Sequence, residues 1–389
     1  MTETIRVLAV GDPAVDAYVA QKYGLIPVYE QRNQVKVEFD IIPFAQYYDM
    51  MMAAFQGEQN YDIVMVAGHL WLKDFVNKGY LAAVVYPQDN SWNLQDIVPV
   101  VRRELKIAGI PYLYPSFCDG HMVLYRKSAV LRSLGALPPD VITTDELVEM
   151  VAKCHQKSAM YGIVLKAHPS EIFLDFLPYL RQEGTDAFDP ETQLPAFNNE
   201  QGLAALRKYV GLRSFAPPDT HTYGNDEVRE AFQHLRSVFA VTWGGQLGVM
   251  LDERCEQPED IGFATLKTAW NVTWSFAINV KSQKQREAEA LLQYLASSEA
   301  DRVVGAYAGS PVRRSTYDMD STRCDWYSAH LNMIENCAQP LPALDNAGEV
   351  LGVLYDKISR AFQAELTVEE ALQQAEAEIL SKQKEGKSS

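Results

Sequence analysis

The chain has 389 residues, a formal net charge of -16 at pH 7, and a composition that is 47% hydrophobic and 22% charged. This length exceeds what one ordinary core accommodates, so two domains are expected, and the balance of residue types is that of a globular protein. The negative charge argues against a nucleic-acid partner and against docking on an anionic membrane, because both require an excess of Lys and Arg.

Predicted strands and helices alternate through the first eighty residues. The strands lie at 5–10, 35–42 and 61–67, and a helix follows each of them, beginning near residues 12, 44 and 68. Asp12 is placed to cap the first helix, and Pro13 suits its first turn. The third strand is apolar throughout, as expected of a buried parallel strand. This order predicts an α/β unit built on a parallel sheet.

The stretch at 109–125 interrupts the alternation. Because Pro111 and Pro115 fix φ and lack a backbone donor, the stretch is predicted to be neither a central strand nor the interior of a helix. We interpret it as an extended crossing between two domains. Clefts between domains often hold small-molecule sites, which would place Asp119 and the nearby tyrosines close to a site.

A second alternation follows the crossing. Gly135 is expected to end the first helix, and Thr143 with Glu146 has the spacing of a capping box at the start of the next. The predicted helices lie at 124–134, 143–158, 171–183, 199–212 and 226–236, and the strands at 161–165, 237–243, 261–266 and 272–280. The C-terminal part is predicted to be helical at 284–296, 299–307, 347–364 and 368–380, with a flexible polar tail at 381–389.

Enzyme and metal signatures are missing from the sequence or incomplete. The five scattered cysteines indicate free, partly buried thiols, and only Cys324 and Cys337 are close enough in sequence for a disulfide to be considered. His168 and Glu171 are spaced like metal ligands, but no third ligand stands nearby, and a solvent-facing helix start explains them as well. The sequence contains no nucleotide-binding loop and no nucleophile motif. We therefore predict no cofactor, no metal and no catalytic residue.

Several aromatic residues fall at predicted strand ends, at turns or in the crossing: Trp71, Tyr112, Tyr114, Trp243, Trp270 and Trp274. Open α/β sheets bind ligands beyond the carboxyl ends of their strands, and flat rings there can stack on the apolar face of a sugar. Asp12 and Asp119 can accept hydrogen bonds from sugar hydroxyls, and Arg313 can donate them. Each type also has a structural interpretation: aromatic rings fill cores, Asp12 caps a helix and Asp119 forms a turn.

Four passages, taken in order, carry a resemblance to a known family. They are Tyr-Asp-Ile-Val-Met-Val at 61–66, Gly-Ile-Pro-Tyr-Leu-Tyr-Pro at 109–115 with its continuation to 147, Phe-Ala-Val-Thr-Trp-Gly-Gly at 239–245, and 274–313 ending in Gly-Ser-Pro-Val-Arg. Together they resemble the extracellular solute-binding proteins of ABC importers, specifically the carbohydrate-binding family that includes the maltose- and multiple-sugar-binding proteins. The resemblance covers nearly the whole chain.

The resemblance implies an α/β, two-lobed periplasmic-binding-protein (Venus-flytrap) fold, in which each lobe is a mostly parallel sheet flanked by helices. The first lobe would comprise 1–115 and 272–317, and the second 116–271 and 318–380. Hinge segments would cross between them near Pro115, at 267–272 and at 315–320. Closure of such hinges on a ligand is driven by the ligand's better contacts with the closed state.

The same resemblance implies a function. The protein would be the substrate-binding component of an ABC sugar importer, not an enzyme, and would capture a mono- or oligosaccharide in the cleft between the lobes. Its partners would be the carbohydrate and the permease subunits of the importer, and the protein itself would be a monomer. By family position the ligand-binding residues are Asp12, His69, Trp71, Tyr112, Asp119, His168, Trp243, Trp270, Trp274 and Arg313.

Localisation follows from the resemblance rather than from the residues. No apolar run approaches the roughly twenty residues of a membrane span. The first residues lead directly into a predicted strand without a signal peptide, so the protein is either cytoplasmic or has lost an export segment. The family implies the second case, a periplasmic protein or a membrane-anchored lipoprotein.

Two alternatives to a sugar-binding protein stay open on the sequence. A glycoside-processing enzyme needs two carboxylates across one site, and the sequence does not exclude Asp12 with Asp119 in that role. The same fold can also bind a polyamine, an amino acid or another small solute. The many aromatic residues and few acids among the candidates favour a neutral sugar.

Overall fold

The computed structural model describes residues 3–87, 92–156 and 159–386. The chain divides into two compact units. Unit 1 comprises Met1–Asp119 and Val272–Ser328, and unit 2 comprises Gly120–Asn271 and Ala329–Ser389. The chain therefore passes between the units three times.

The strands and helices of the described residues follow in chain order. The strands are β1 Thr4–Val10, β2 Lys36–Ile42, β3 Ile63–Ala67, β4 Lys106–Ile107, β5 Ile110–Pro111, β6 Leu113–Arg126, β7 Val141–Ile142, β8 Tyr161–Val164, β9 Ser237–Trp243, β10 Ile261–Leu266 and β11 Asn271–Ile278. The α-helices are α1 Pro13–Val19, α2 Leu25–Asn33, α3 Phe44–Gln56, α4 Gly68–Asn77, α5 Pro99–Glu104, α6 Lys127–Leu134, α7 Thr144–Cys154, α8 Ile172–Gln182, α9 Glu200–Gly211, α10 Asn225–Gln233, α11 Leu247–Met250, α12 Gln285–Leu295, α13 Ser298–Tyr307, α14 Arg314–Asp320, α15 Tyr327–Asn332, α16 Ala347–Phe362 and α17 Val368–Gly386. Among the described residues, no helix combines the length and the apolar character that a membrane span requires.

The sheet of unit 1 has a parallel core. Strand β1 pairs in parallel with β2, from Thr4 opposite Lys36 to Val10 opposite Ile42, and with β3 on its other side. Strand β11 then pairs antiparallel with β3. Every residue of β3 is buried, as the unbroken apolar run of that strand predicts. The carboxyl ends of β1, β2 and β3 consequently lie at one edge of the sheet.

The sheet of unit 2 is mixed, and β6 is its central strand. Strands β9 and β10 pair antiparallel with β6 on either side, from His121 to Tyr125 and from Met122 to Arg126. Strand β8 lies parallel to β9, and β7 lies parallel to β10. The carboxyl ends of β8 and β9 therefore meet at the same edge.

Strand β6 corrects one prediction. The prediction that the stretch at 109–125 forms no central strand is wrong. Most of it lies in β6, a buried strand of 14 residues that contains Pro115 and ends at Arg126. Its pairing with β9 begins at His121, six residues after Pro115, so the missing N–H of the proline removes no bond from that ladder. The helix predicted at 124–134 accordingly begins later, at Lys127.

The predicted helix caps are confirmed. Asp12 Oδ1 accepts a hydrogen bond from the main-chain N–H of Ala14 at 2.8 Å, and Pro13 is the first residue of α1. Thr143 and Glu146 form the reciprocal bonds of a capping box at the start of α7. Gly135 ends α6 with a φ of 78°, in the left-handed region that favours glycine.

Two helix ends differ from the predictions, whereas the cysteine pair does not. Helix α7 ends at Cys154 rather than near residue 158, and residues 157–158 lie outside the described residues. Helix α17 continues from residue 380 to Gly386, because the Lys, Gln and Glu residues there favour helix. Cys324 and Cys337 are both buried and are not bridged, which agrees with the prediction of free thiols.

Asp301 is a buried carboxylate of unit 1 that joins α13 to the segment at 312–316. It lies in α13, where it accepts hydrogen bonds from the main-chain N–H of Val312 at 2.8 Å and from the hydroxyl of Thr316. Burial raises the pKa of Asp301 to about 6, although these hydrogen bonds and Arg313 favour the ionised form. The unfolded carboxyl titrates near pH 4, so the folded state holds this proton more tightly.

We predict that replacing Asp301 by Asn changes how stability depends on pH. The contribution of Asp301 to the free energy of unfolding is largest below pH 4 and falls by about 3 kcal/mol as the pH rises through 6. Asn keeps an acceptor for Val312 and has no charge to bury. As the pH rises from 4.5 to 7, the free energy of unfolding of Asp301→Asn should therefore increase relative to that of the wild type. Urea unfolding at the two pH values measures this gain. The exposed Asp318→Asn serves as the control, and an equal pH response of all three proteins would contradict the prediction.

Candidate functional site

The parallel strands of unit 1 end where three helices begin. Helices α1, α3 and α4 start within three residues of the ends of β1, β2 and β3. The main-chain N–H of Gly11, after β1, donates to the carbonyl of Ile42 at the end of β2 at 2.8 Å. A Cβ on Gly68, after β3, would lie 3.0 Å from the main-chain oxygen of Glu104, so the backbones approach closely there. This edge is the kind of position at which open α/β sheets bind ligands.

A group of aromatic rings lies at this edge. Trp274 is opposite Ala67, the last residue of β3, and its ring lies 5.9 Å from that of Trp71 at an angle of 75°. The other rings in contact with these two are Phe44, Tyr47 and Phe117 beside Trp274, and Tyr48 and Phe75 beside Trp71. We call Trp71, Trp274 and Tyr48 aromatic group 1. The structure thus brings together two of the predicted site residues, in edge-to-face contact.

The other predicted residues of unit 1 lie in different settings. Asp12 is half-buried at the cap of α1, beside the edge. His69 lies in the first turn of α4, and its side chain is outside the described residues. Tyr112 lies between β5 and β6, and its main-chain N–H donates to Leu105. Asp119 is buried in β6, at the end of the first segment of unit 1.

Arg313 is held by contacts within unit 1. Its guanidinium is 1% exposed, donates to the carbonyls of Ala296 at 2.7 Å and Asn93 at 3.2 Å, and lies 3.5 Å from Asp96. It also stacks on the ring of Trp92. These contacts favour a structural role for Arg313, and its predicted ligand role stays a prediction.

In unit 2, the turn after β8 contacts the end of β9. Trp243, the last residue of β9, donates its indole N–H to Glu171 Oε2 at 3.2 Å. The main-chain N–H of Glu171 donates to the carbonyl of His168, and Nδ1 of His168 lies 2.7 Å from the hydroxyl of Ser170. Glu171 thus accepts the indole N–H of Trp243, and within the described ranges no group of three His, Cys, Asp or Glu residues is arranged as metal ligands.

Trp243 and Trp270 lie together with His121. The two indole rings are 5.3 Å apart at 62°, and the His121 ring lies 4.5 Å from that of Trp243, its partner in the β6–β9 register. His121 and Trp270 are also joined by two hydrogen bonds. The N–H of His121 donates to the carbonyl of Trp270 at 3.2 Å, and the N–H of Trp270 donates to Nδ1 of His121 at 3.3 Å. We call these three residues aromatic group 2.

A buried ion pair lies beside aromatic group 2. Nζ of Lys166 is 3.1 Å from Oδ1 of Asp175, donates to the carbonyl of Val241 at 3.3 Å, and lies 4.0 Å from the centre of the Trp243 ring. Burial by itself would raise the pKa of Asp175, but Lys166 and His121 together outweigh burial and hold this pKa below its usual value. Burial lowers the pKa of His121 to about 4, so its imidazole is neutral at pH 7.

The sequence interpretation missed Lys166, Asp175 and His121. Two signals could have pointed to them. Lys166 interrupts an apolar run that begins with β8, and Asp175 lies in α8 among eight apolar or aromatic residues, Ile-Phe-Leu before it and Phe-Leu-Pro-Tyr-Leu after it. Charged residues in such segments are rarely buried without an opposite charge, so the two could have been paired with each other.

The comparisons with known proteins identify the family. The family model described as bacterial extracellular solute-binding protein matches residues 9–302. The chain belongs to this family. Its members are binding proteins of transport systems, so the enzyme alternative is set aside.

Relatives and a solved structure agree with this assignment. A probable ABC transporter-binding protein of Deinococcus radiodurans is 26% identical over 314 residues, which are 73% of this chain and 73% of that protein. A mannitol-binding protein of Pseudomonas aeruginosa is 27% identical over 241 residues, 58% of this chain and 55% of that protein. The maltose-bound MalE3 of T. maritima has a TM-score of 0.87 at 23% identity and covers 97% of this chain and 99% of its own. The predicted two-lobed periplasmic-binding-protein fold is thereby confirmed.

We predict that Lys166 and Asp175 are strongly coupled. Lys166→Met or Asp175→Asn leaves one charge buried without its partner, at a cost of about 3–5 kcal/mol of unfolding free energy. The double variant should lose clearly less than the sum of the two losses, because it buries no unpaired charge. Denaturant unfolding of the four proteins measures this coupling. The exposed pair Lys153 and Glu149 provides a matched control, with an expected coupling below about 1 kcal/mol, and additive losses at Lys166 and Asp175 would contradict the prediction.

Proposed function

We propose that the protein is the substrate-binding component of an ABC importer that captures a neutral carbohydrate, either a sugar or a sugar alcohol, and delivers it to the permease. The observation that carries the ligand class is the placement of tryptophans at the carboxyl edge of the parallel strands in each unit. Indole faces suit the apolar face of a sugar ring, and the indole N–H adds a polar contact. The similarity to a mannitol-binding protein and to a maltose-bound protein supports the same class.

The charges near the aromatic groups support a neutral ligand over a cation. Asp175 is paired with Lys166, and Glu171 accepts the indole N–H of Trp243. In unit 1, Asp12 caps α1, and Glu104 accepts the main-chain N–H of Thr273 at 3.0 Å. A polyamine or another cation needs carboxylates whose charge is directed at the ligand, whereas these carboxylates all accept bonds from the protein.

We propose that units 1 and 2 are the two lobes and that the tryptophans of both aromatic groups contact the ligand. Asp12, His69, Tyr112, Asp119 and His168 are proposed as polar or aromatic neighbours of these rings. Arg313 is the weakest member of the set because its guanidinium already bonds the protein. We infer further that the protein acts outside the cytoplasm as a monomer, whether free in the periplasm or lipid-anchored.

Calorimetric titration tests this function. Purified protein is titrated with a panel of mono- and oligosaccharides and sugar alcohols, with polyamines and amino acids for comparison. Saturable binding of one carbohydrate class, with the ligand recovered unaltered, is the expected result. Binding of a cation without carbohydrate binding would overturn the proposed ligand class, and conversion of the carbohydrate would overturn the assignment as a binding protein.

We predict that Trp71→Leu and Trp243→Leu each weaken binding of the carbohydrate found in the panel. Leu keeps apolar bulk but lacks the flat face, so each change should cost about 1 kcal/mol, or about fivefold in Kd. Trp326→Leu is the matched control, because Trp326 bonds the carbonyl of Gly309 and packs on Tyr327, apart from both aromatic groups. Calorimetric Kd values for the three variants decide the matter, and an equal loss in the control would mean that the effect is one of general stability.

A further inference from the structure

His121 contacts both tryptophans of aromatic group 2 although its side chain is fully buried. Its ring lies 4.5 Å from the Trp243 ring, and its Nδ1 accepts the main-chain N–H of Trp270 at 3.3 Å. One side chain therefore contacts the ring of one tryptophan and the backbone of the other. Because Trp270 is fully buried like His121, whereas Trp243 is 5% exposed, His121 acts on a ligand through Trp243, both directly and by way of Trp270.

The bond from Trp270 determines the tautomer of His121. A nitrogen that accepts a hydrogen bond carries no proton, so the proton of the neutral ring is on Nε2. Nε2 lies 3.6 Å from Oδ1 of Asp175, longer than a hydrogen bond but oriented by the negative charge. The charged groups around the ring are Asp175 and Arg181 on α8 and Lys166 after β8, and burial outweighs Asp175, so the ring is neutral.

The Trp243 ring is also contacted by a buried lysine. Nζ of Lys166 lies 4.0 Å from the centre of the Trp243 ring, a cation–π contact in a buried setting. Lys166 is in turn held by Asp175, and Asp175 accepts the main-chain N–H of Lys166 at 3.1 Å. The Trp243 ring is thus positioned by Lys166 and by His121, and neither side chain is exposed.

We propose that His121, as the neutral tautomer with its proton on Nε2, is a positioning residue that sets the places of Trp243 and Trp270 for ligand binding. The role in binding rests on the proposed function, whereas the tautomer and the bond to Trp270 do not. His121 supplies an acceptor that an apolar residue of the same size lacks. The N–H of Trp270, immediately before the passage of the chain from unit 2 to unit 1, depends on that acceptor.

Three substitutions separate this role from simple packing. His121→Asn places an amide oxygen where Nδ1 stands and keeps the acceptor for Trp270. His121→Gln reaches towards the position of Nε2 instead, and His121→Phe keeps a ring without any acceptor. We expect Asn to bind the carbohydrate within about threefold of the wild type and Gln and Phe to bind at least tenfold more weakly. Wild-type affinity in His121→Phe, or equal losses in all three variants, would overturn the proposal.

A second measurement needs no ligand and no variant. Nitrogen-15 NMR of the wild-type histidine rings reports which nitrogen carries the proton, and through-space contacts with the Trp243 ring, 4.5 Å away, identify the His121 signals. We expect an unprotonated Nδ1 and a protonated Nε2 at pH 7, unchanged down to pH 5. A protonated Nδ1 at pH 7 would overturn the proposal even if every variant failed to fold. If the wild type binds no carbohydrate but shows this tautomer, the proposed function fails and the arrangement of His121 stands.

Discussion

The ion pair between Lys166 and Asp175 is the interaction on which the aromatic edge of unit 2 depends. Both charges are buried, so each is tolerable only because the other is 3.1 Å away. Asp175 also bonds the main chain at Lys166 and lies 3.5 Å from the hydroxyl of Tyr209, so one carboxylate joins the exit of β8 to helices α8 and α9. The ammonium that it holds lies against Trp243. An electrostatic requirement of the core thereby also positions the Trp243 ring.

The aromatic edge of unit 1 is shaped mainly by the backbone. Gly11, Pro43 and Gly68 directly follow its parallel strands, and a helix begins within two residues of each. The close approach at Gly68 leaves little room for a side chain, because the main-chain oxygens of Glu104 and Thr273 lie 3.0 and 3.6 Å from where a Cβ would stand. In unit 1 the close approach of the backbone shapes the aromatic edge, whereas in unit 2 a buried ion pair supports it.

Local sequence patterns predicted much of the fold. The remaining features depend on contacts between residues that are distant in the sequence. Apolar runs predicted β3 and β9, and the caps at Asp12 and Thr143 predicted helix starts, because these features depend on neighbours a few residues away. The central place of β6 was not predictable from Pro111 and Pro115, since it depends on which residues pair with β9. The order of the passages in the chain indicated the two-lobed fold. Tryptophans at strand ends were recognisable as candidates, whereas His121 and Asp175 gain their meaning only from partners far away in the sequence.

The division of unit 1 into two segments has a consequence for synthesis on the ribosome. Strand β3 emerges early, but its antiparallel neighbour β11 begins at the end of the whole Gly120–Asn271 segment. The nascent chain therefore carries an apolar strand with one of its edges uncovered while most of unit 2 is still being made. Because each unit consists of two segments, neither is encoded by one continuous stretch of the gene. Unit 1 gains its last strand only when the ribosome has passed residue 278.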